Sequence, residues 1–221
     1  RTTYQENFNR IERAAAAFDK LGVGLGDRVG VMDWNSLRHY ELYWAIPAIG
    51  AVFTQLNLRL APEDLLYVIN DSQASVIVVD ETLVPAIQPL AERTKGVKTW
   101  VILSDGHIEH DLPNAVYYEE LIAETEPLAA WPNISETSAF AAGYTTGTTG
   151  RPKGVFYSHR SQYLHSYSTV KDLTVSVEDV VMPITPMFHV LSWGMVQVAV
   201  MVGAKLVLPG MFSAETLGDI T

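Results

Sequence analysis

Glycine, threonine and lysine crowd into one stretch of this sequence, Tyr144-Thr145-Thr146-Gly147-Thr148-Thr149-Gly150-Arg151-Pro152-Lys153-Gly154-Val155, between two runs that read as strands. Each residue type suits an anion for its own reason. Glycine permits positive φ and lets amide N–H groups come close, threonine hydroxyls donate further hydrogen bonds, and lysine supplies a compact positive charge. The surrounding field agrees. From Thr137 to Lys171 there is no Asp or Glu, while Arg151, Lys153, Arg160 and Lys171 contribute positive charge within a chain of net charge -10. The spacing is not that of a Walker A loop, which sets glycine before its lysine and Ser or Thr after it; here Pro152 and Gly154 flank Lys153. It is not the dinucleotide fingerprint either. The plain alternative is a solvated polar turn.

A second group is Pro186-Met187-Phe188-His189-Val190 with Trp193. An aromatic wall beside such a loop would line a pocket for an apolar ligand and exclude water from it. The alternative makes Phe188 and Trp193 core aromatics and His189 a satisfied interior histidine. His107, Glu109, His110 and Asp111 stand in a loosely patterned stretch with no helical frame to converge them on a metal, so a solvated loop is expected. Ser158 and His159 are neighbours without a Gly-x-Ser-x-Gly context, which argues against a serine hydrolase.

These residues sit in a chain of 221, of which 48% are hydrophobic and 18% charged, a composition that folds and excludes disorder. The acidic excess opposes nucleic acid and anionic membrane surfaces, so an anionic ligand needs a local exception such as the Gly/Thr stretch. No cysteine is present, which removes disulfides, thiol nucleophiles and Cys-based metal sites and fits a reducing compartment; a cytoplasmic location is expected. No signal peptide is read at Arg1–Arg10. Val180–Ala204 lacks Asp, Glu, Lys and Arg, but Pro183, Pro186, His189 and Gln197 interrupt it, and no membrane span is expected.

The elements that must position the two groups follow an alternating pattern. Thr3 and Glu6 read as a capping box, with Phe8, Ile11, Ala15 and Phe18 at helical spacing as far as Gly22. Strands are expected at 28–32, 52–56, 76–79, 99–103, 139–144, 155–157, 180–184 and 205–208. Helices are expected at 37–49, from Pro62 to about Asn70, at 83–94, 118–124, from about Ser161, at 190–202, and over 213–221. Residues 104–136, with Pro113, Pro127 and Pro132, read as a surface excursion. Strands alternating with helices predict the α/β class, a mostly parallel sheet flanked by helices on both faces, with ligands at strand carboxyl ends.

As a whole, residues 144–155 resemble the phosphate-loop signature of the adenylate-forming superfamily, which contains acyl-CoA synthetases, luciferases and peptide-synthetase adenylation domains. Leu21–Val29, Ala48–Val52 and Asn57–Leu60 are similar to that superfamily's early junctions. Residues 186–190 with Trp193, Gly203-Ala204-Lys205 and Leu208-Pro209-Gly210 are similar to medium- and long-chain fatty acyl-CoA synthetases. The resemblance implies that residues 1–221 are the incomplete N-terminal part of an AMP-binding adenylation domain, with the C-terminal domain absent. It implies a fatty-acid:CoA ligase forming AMP, using ATP, Mg²⁺ and coenzyme A, with this fragment alone expected to be inactive. By position, Thr145, Thr146, Gly147, Thr148, Thr149, Gly150 and Lys153 would bind the β- and γ-phosphates. Thr145 would also stand near Mg²⁺, Thr145 and Lys153 would carry the catalytic role, and Phe188, His189 and Trp193 would line the acyl side. Homodimerisation is implied by resemblance only. Two alternatives stay open: a non-catalytic nucleotide- or acyl-binding module, and an adenylating enzyme for an aryl or amino acid.

Overall fold

The computed structural model describes residues 1–145 and 150–211; Thr146, Gly147, Thr148, Thr149 and the helix expected over 213–221 lie outside the described residues. The first helix, α1 (Tyr4–Lys20), opens on the expected capping box. The Glu6 amide donates to the Thr3 hydroxyl at 3.2 Å and the Thr3 amide to the Glu6 carboxylate at 2.6 Å. Then come β1 (Arg28–Met32), α2 (Leu37–Ala48), β2 (Val52–Gln55), α3 (Pro62–Ser72), β3 (Val76–Asp80), α4 (Val84–Ile87), β4 (Thr99–Leu103), β5 (Ala115–Tyr117) and α5 (Tyr118–Ala123). A hairpin of β6 (Ala139–Thr145) and β7 (Lys153–Ser158) follows, then α6 (His159–Leu173), β8 (Val180–Val181), α7 (Met195–Val202) and β9 (Lys205–Leu206).

The main sheet runs β5-β4-β3-β1-β2-β6-β7, parallel throughout except for β7, and β8 pairs with β9 in a small parallel sheet. Successive strand residues point to opposite faces, and here both faces are apolar. Val29, Val31, Phe53, Val76, Val78, Val101 and Leu103 pack with α1, α2 and α5 on one side. Met32, Ile77, Val79, Trp100 and Ile102 pack with α3 and α4 on the other. Gly30 has no room for a side chain on this second face, since a Cβ would stand 2.5 Å from Ile77 Cδ1. One buried carboxylate fastens the first face. Glu41 receives Arg10 at 2.5 and 3.1 Å and the Tyr118 hydroxyl at 2.8 Å, and Arg10 continues to Glu119.

The α/β class and the parallel sheet agree with the sequence pattern, but several elements differ. The helix expected over 83–94 is divided into short pieces, because Pro85 and Pro89 each remove an N–H donor. The expected excursion at 104–136 contains a strand, β5, in register with β4, and buries Tyr118 and Ile122. The strands expected at 180–184 and 205–208 shorten to two residues each, Pro183 ending the first. The helix expected at 190–202 begins only at Met195. Ahead of it, Val190, Leu191, Ser192 and Trp193 take φ of 43, 52, 50 and 55°, a left-handed turn that side chains disfavour.

Candidate active site

All parallel strands end on one edge, and the described members of both groups of sequence-predicted residues lie there. The β6–β7 hairpin places Thr145 opposite Lys153 as cross-strand partners, both exposed, at the mouth of the Gly/Thr turn. Gly150 is also exposed. The hairpin's base is fastened to α3: the Tyr144 hydroxyl donates to Asp71 at 2.8 Å, and the Arg151 guanidinium lies 4.9 Å from the centre of the Tyr67 ring. Burial, reinforced by Asp71, pushes the Tyr144 hydroxyl's pKa up. Gly154 lets Tyr144 pack close opposite it, since a Cβ there would approach that ring to 3.3 Å. Thr145 and Lys153 pair through the backbone, and neither side chain makes a hydrogen bond or ion pair with another described residue.

The Phe188 segment crosses the carboxyl ends of β1 and β2 and is held by three polar side chains that sequence reasoning passed over. Asn35 donates to the Pro183 carbonyl at 2.8 Å and accepts from the Met187 amide at 2.7 Å. The Tyr43 hydroxyl donates to the Met187 carbonyl at 2.6 Å, and the Gln55 amide group donates to the same oxygen. Gln55 Oε1 then accepts from the Leu191 amide at 3.2 Å. For Asn35 and Gln55 the available signal was a polar residue at or just beyond the end of an apolar strand; Tyr43, inside α2, gave none. Phe188 is buried, His189 is exposed, and Trp193 stands 66% exposed on the left-handed turn. Gly194 closes that turn at φ 71°, where a Cβ would meet the His165 ring at 2.9 Å.

The topological switch point lies elsewhere, between β1 and β3, whose following helices cover opposite faces. That crevice is filled by the chain itself. Asp33 is fully buried, accepting from the Trp34 amide at 2.6 Å and from the Ser36 hydroxyl, while Trp34 Nε1 donates to Thr82 at 2.9 Å. Burial pushes the Asp33 carboxyl up to about 7 and the neighbouring His39 down to about 4.

The polar loop at His107 is structural. His107 Nε2 pairs with Glu120 at 2.6 Å and Asp111 bonds Gln88, and among the described residues no three metal-ligating side chains converge. Ser158 caps α6, accepting from the Ser161 amide at 3.1 Å. Among the described residues no helix is long and apolar enough to cross a membrane.

A parallel sheet covered by helices on both faces, with an antiparallel hairpin at one side, defines the class: an α/β domain. The sequence matches the AMP-binding enzyme family over residues 1–221, and the chain belongs to that family. It is 39% identical over 214 residues to a medium-chain-fatty-acid–CoA ligase of Ectopseudomonas oleovorans, covering 95% of this chain and 39% of that protein. To a long-chain-fatty-acid–CoA ligase of Thermus thermophilus it is 41% identical over 212 residues, covering 95% of this chain and 38% of that protein. Its fold is similar to the N-terminal domain of FACL13 from Mycobacterium tuberculosis, with TM-score 0.86 and 25% identity, covering 99% of this chain and 53% of that domain. The chain therefore spans well under half the length of the curated relatives it matches.

Proposed function

We propose that the protein to which these residues belong activates a medium- or long-chain fatty acid with ATP, releasing pyrophosphate to form an acyl adenylate, and transfers the acyl group to coenzyme A. The observation that carries this reading is the hairpin. Thr145 and Lys153 face each other across the mouth of a glycine- and threonine-rich turn, at the strand edge where α/β sheets receive ligands. Family membership and the two ligases of similar sequence support the reaction class.

In this reading Thr146, Gly147, Thr148, Thr149 and Gly150 present amides and hydroxyls to the β- and γ-phosphates, and Lys153 adds its charge at the strand end. Positioning and charge neutralisation supply the step, with no proton transfer asked of Lys153. Bound Mg²⁺ would neutralise phosphate charge; the donor this chain offers it is the Thr145 hydroxyl, which suits a cation held mainly by the nucleotide's own oxygens. Phe188, His189 and Trp193 form the acyl side, where Asn35, Tyr43 and Gln55 position the segment that bears them.

The test is fatty-acid-dependent ATP–pyrophosphate exchange, measured on this chain and on the longer protein containing it. Exchange in the longer protein that is lost in Lys153→Met supports the reading. ATP binding without exchange for any acid would leave a binding module, and exchange with aryl or amino acids alone would change the substrate.

A further inference from the structure

We propose that Tyr67 and Asp71, one helical turn apart on α3, are positioning residues for the phosphate turn: they hold both of its stems, so that Thr145 and Lys153 stand in place before a nucleotide arrives. β6 is in register with β2 only at Ala141 and Ala142. Its last three pairs, Gly143 with Val155, Tyr144 with Gly154 and Thr145 with Lys153, are made with β7, and β7 is the outer strand of the sheet. The turn therefore rises from a two-stranded ribbon. Such a ribbon is marginal in water unless something packs against it.

The support comes from α3, at two points. On the incoming strand, the Tyr144 ring lies against Gly154, and its hydroxyl donates to one Asp71 oxygen at 2.8 Å. On the outgoing side, the Arg151 guanidinium lies over the Tyr67 ring, 4.9 Å from its centre. The two anchors are joined, because the Tyr67 hydroxyl donates to the other Asp71 oxygen at 3.2 Å. Residues four apart on a helix share one face, and Asp71 accepts from both tyrosines through bonds that its charge strengthens. Tyr144 immediately precedes Thr145, and Arg151 stands two residues before Lys153. Each anchor thus adjoins one of the groups it places.

This arrangement gives the two cations beside the turn different duties. Lys153 leaves its charge free for a ligand, whereas Arg151 is engaged by Tyr67 and acts through that ring rather than on a phosphate. Asp71 and Arg151 are both exposed, so the clamp adds little to global stability. Its effect falls on binding, where a turn already held in place loses less freedom when the ligand docks. That the ligand is ATP rests on the activation reading above; the clamp rests on the strand pairing and the contacts with α3.

The experiment measures Mg·ATP binding by calorimetry in the enzyme carrying residues 1–221, with exchange kinetics and urea unfolding alongside. Asp71→Ala is expected to weaken Mg·ATP about tenfold, and Tyr144→Phe and Tyr67→Leu about fivefold, with the fatty-acid KM, kcat and unfolding midpoint unchanged. Tyr67→Phe keeps a ring under Arg151 and should stay within about twofold of the wild type. Arg151→Leu should weaken Mg·ATP on its own but add less than about twofold to Tyr67→Leu, because the two changes break one contact. Unaltered Mg·ATP affinity in Asp71→Ala and Tyr144→Phe overturns the proposal, and so does a weakening that an equal loss of folding stability accounts for. An Arg151→Leu effect as large in the Tyr67→Leu background as in the wild type overturns the indirect duty of Arg151. Acid-dependent exchange with unaltered affinity in the variants removes the clamp and leaves the activation reading standing. Weakened Mg·ATP binding in the variants of an enzyme that exchanges with no acid does the reverse.

Discussion

Two places on the same edge of the sheet have opposite characters. At the β1–β3 switch point, where topology alone would put a ligand, the chain pairs with itself: Asp33 holds Trp34 and Ser36, and Trp34 holds Thr82 across the crevice. Three strands away, the β6–β7 hairpin is fastened at its base to Asp71 and Tyr67 but leaves Thr145 and Lys153 exposed. Topology names several possible sites on such an edge, and the groups left unpaired choose among them.

Substitutions at the two places should therefore read out differently. The largest effect is expected at the open one: Lys153→Met should lower ATP–pyrophosphate exchange about 10²–10³-fold while leaving the unfolding midpoint unchanged. A fall in thermal stability of comparable weight would move Lys153 into the structural set. On the closed side, Arg10→Met strands the Glu41 carboxylate, whose side chain is 0% exposed. A loss of about 3 kcal/mol is expected in urea unfolding, with the Tyr118 hydroxyl as the remaining partner.

The switch point makes a prediction about pH. Asp33 holds its proton more tightly in the folded chain, so its stabilising contribution is full below the ordinary carboxylate range and is lost as pH rises through about 7. His39 acts in the other sense. Its folded value near 4 means stability is lost as pH falls from 6.5, because the unfolded chain gains the proton first. Between those values the two slopes oppose each other, and the native protein should show little net dependence from this pair. Asp33→Asn removes one slope. Denaturation midpoints should then fall on acidification, by about 3 kcal/mol in all, and an unchanged profile would show that the pair does not titrate as buried groups. The smallest effect belongs to the far end of α1, where Thr3→Ala removes the capping box and should cost about 1 kcal/mol, with no change in exchange activity.

Local chemistry made much of this legible in the sequence. The Thr3–Glu6 cap, the β-branched run at Val76–Val79 and the two strands flanking the Gly/Thr stretch each declare themselves through neighbours a few residues apart, and the structure places them as expected. What was hidden depends on distant partners. Val190–Trp193 read as helix because its apolar spacing suits one, but Gln55 draws in the Leu191 amide and Ser192 bonds Thr185, bending the backbone the other way. The strand at Ala115–Tyr117 has only three residues and exists because β4 offers an edge to pair with. Asn35, Tyr43 and Gln55 carry no motif, and their role emerges only once a segment about 130 to 150 residues later folds across them.

The pairing of β6 with β7 is out of step at one point: Ala139 lies opposite Ser158, but Ala141, not Phe140, lies opposite Tyr157. Phe140 is thus a supernumerary residue, and everything after it along β6 is turned over relative to an uninterrupted ladder. The stretch from Ala141 to Thr145 keeps its facing because β2 holds it on one side and β7 on the other. The side of the sheet that Thr145 takes is consequently decided five positions upstream, by a phenylalanine that faces the core.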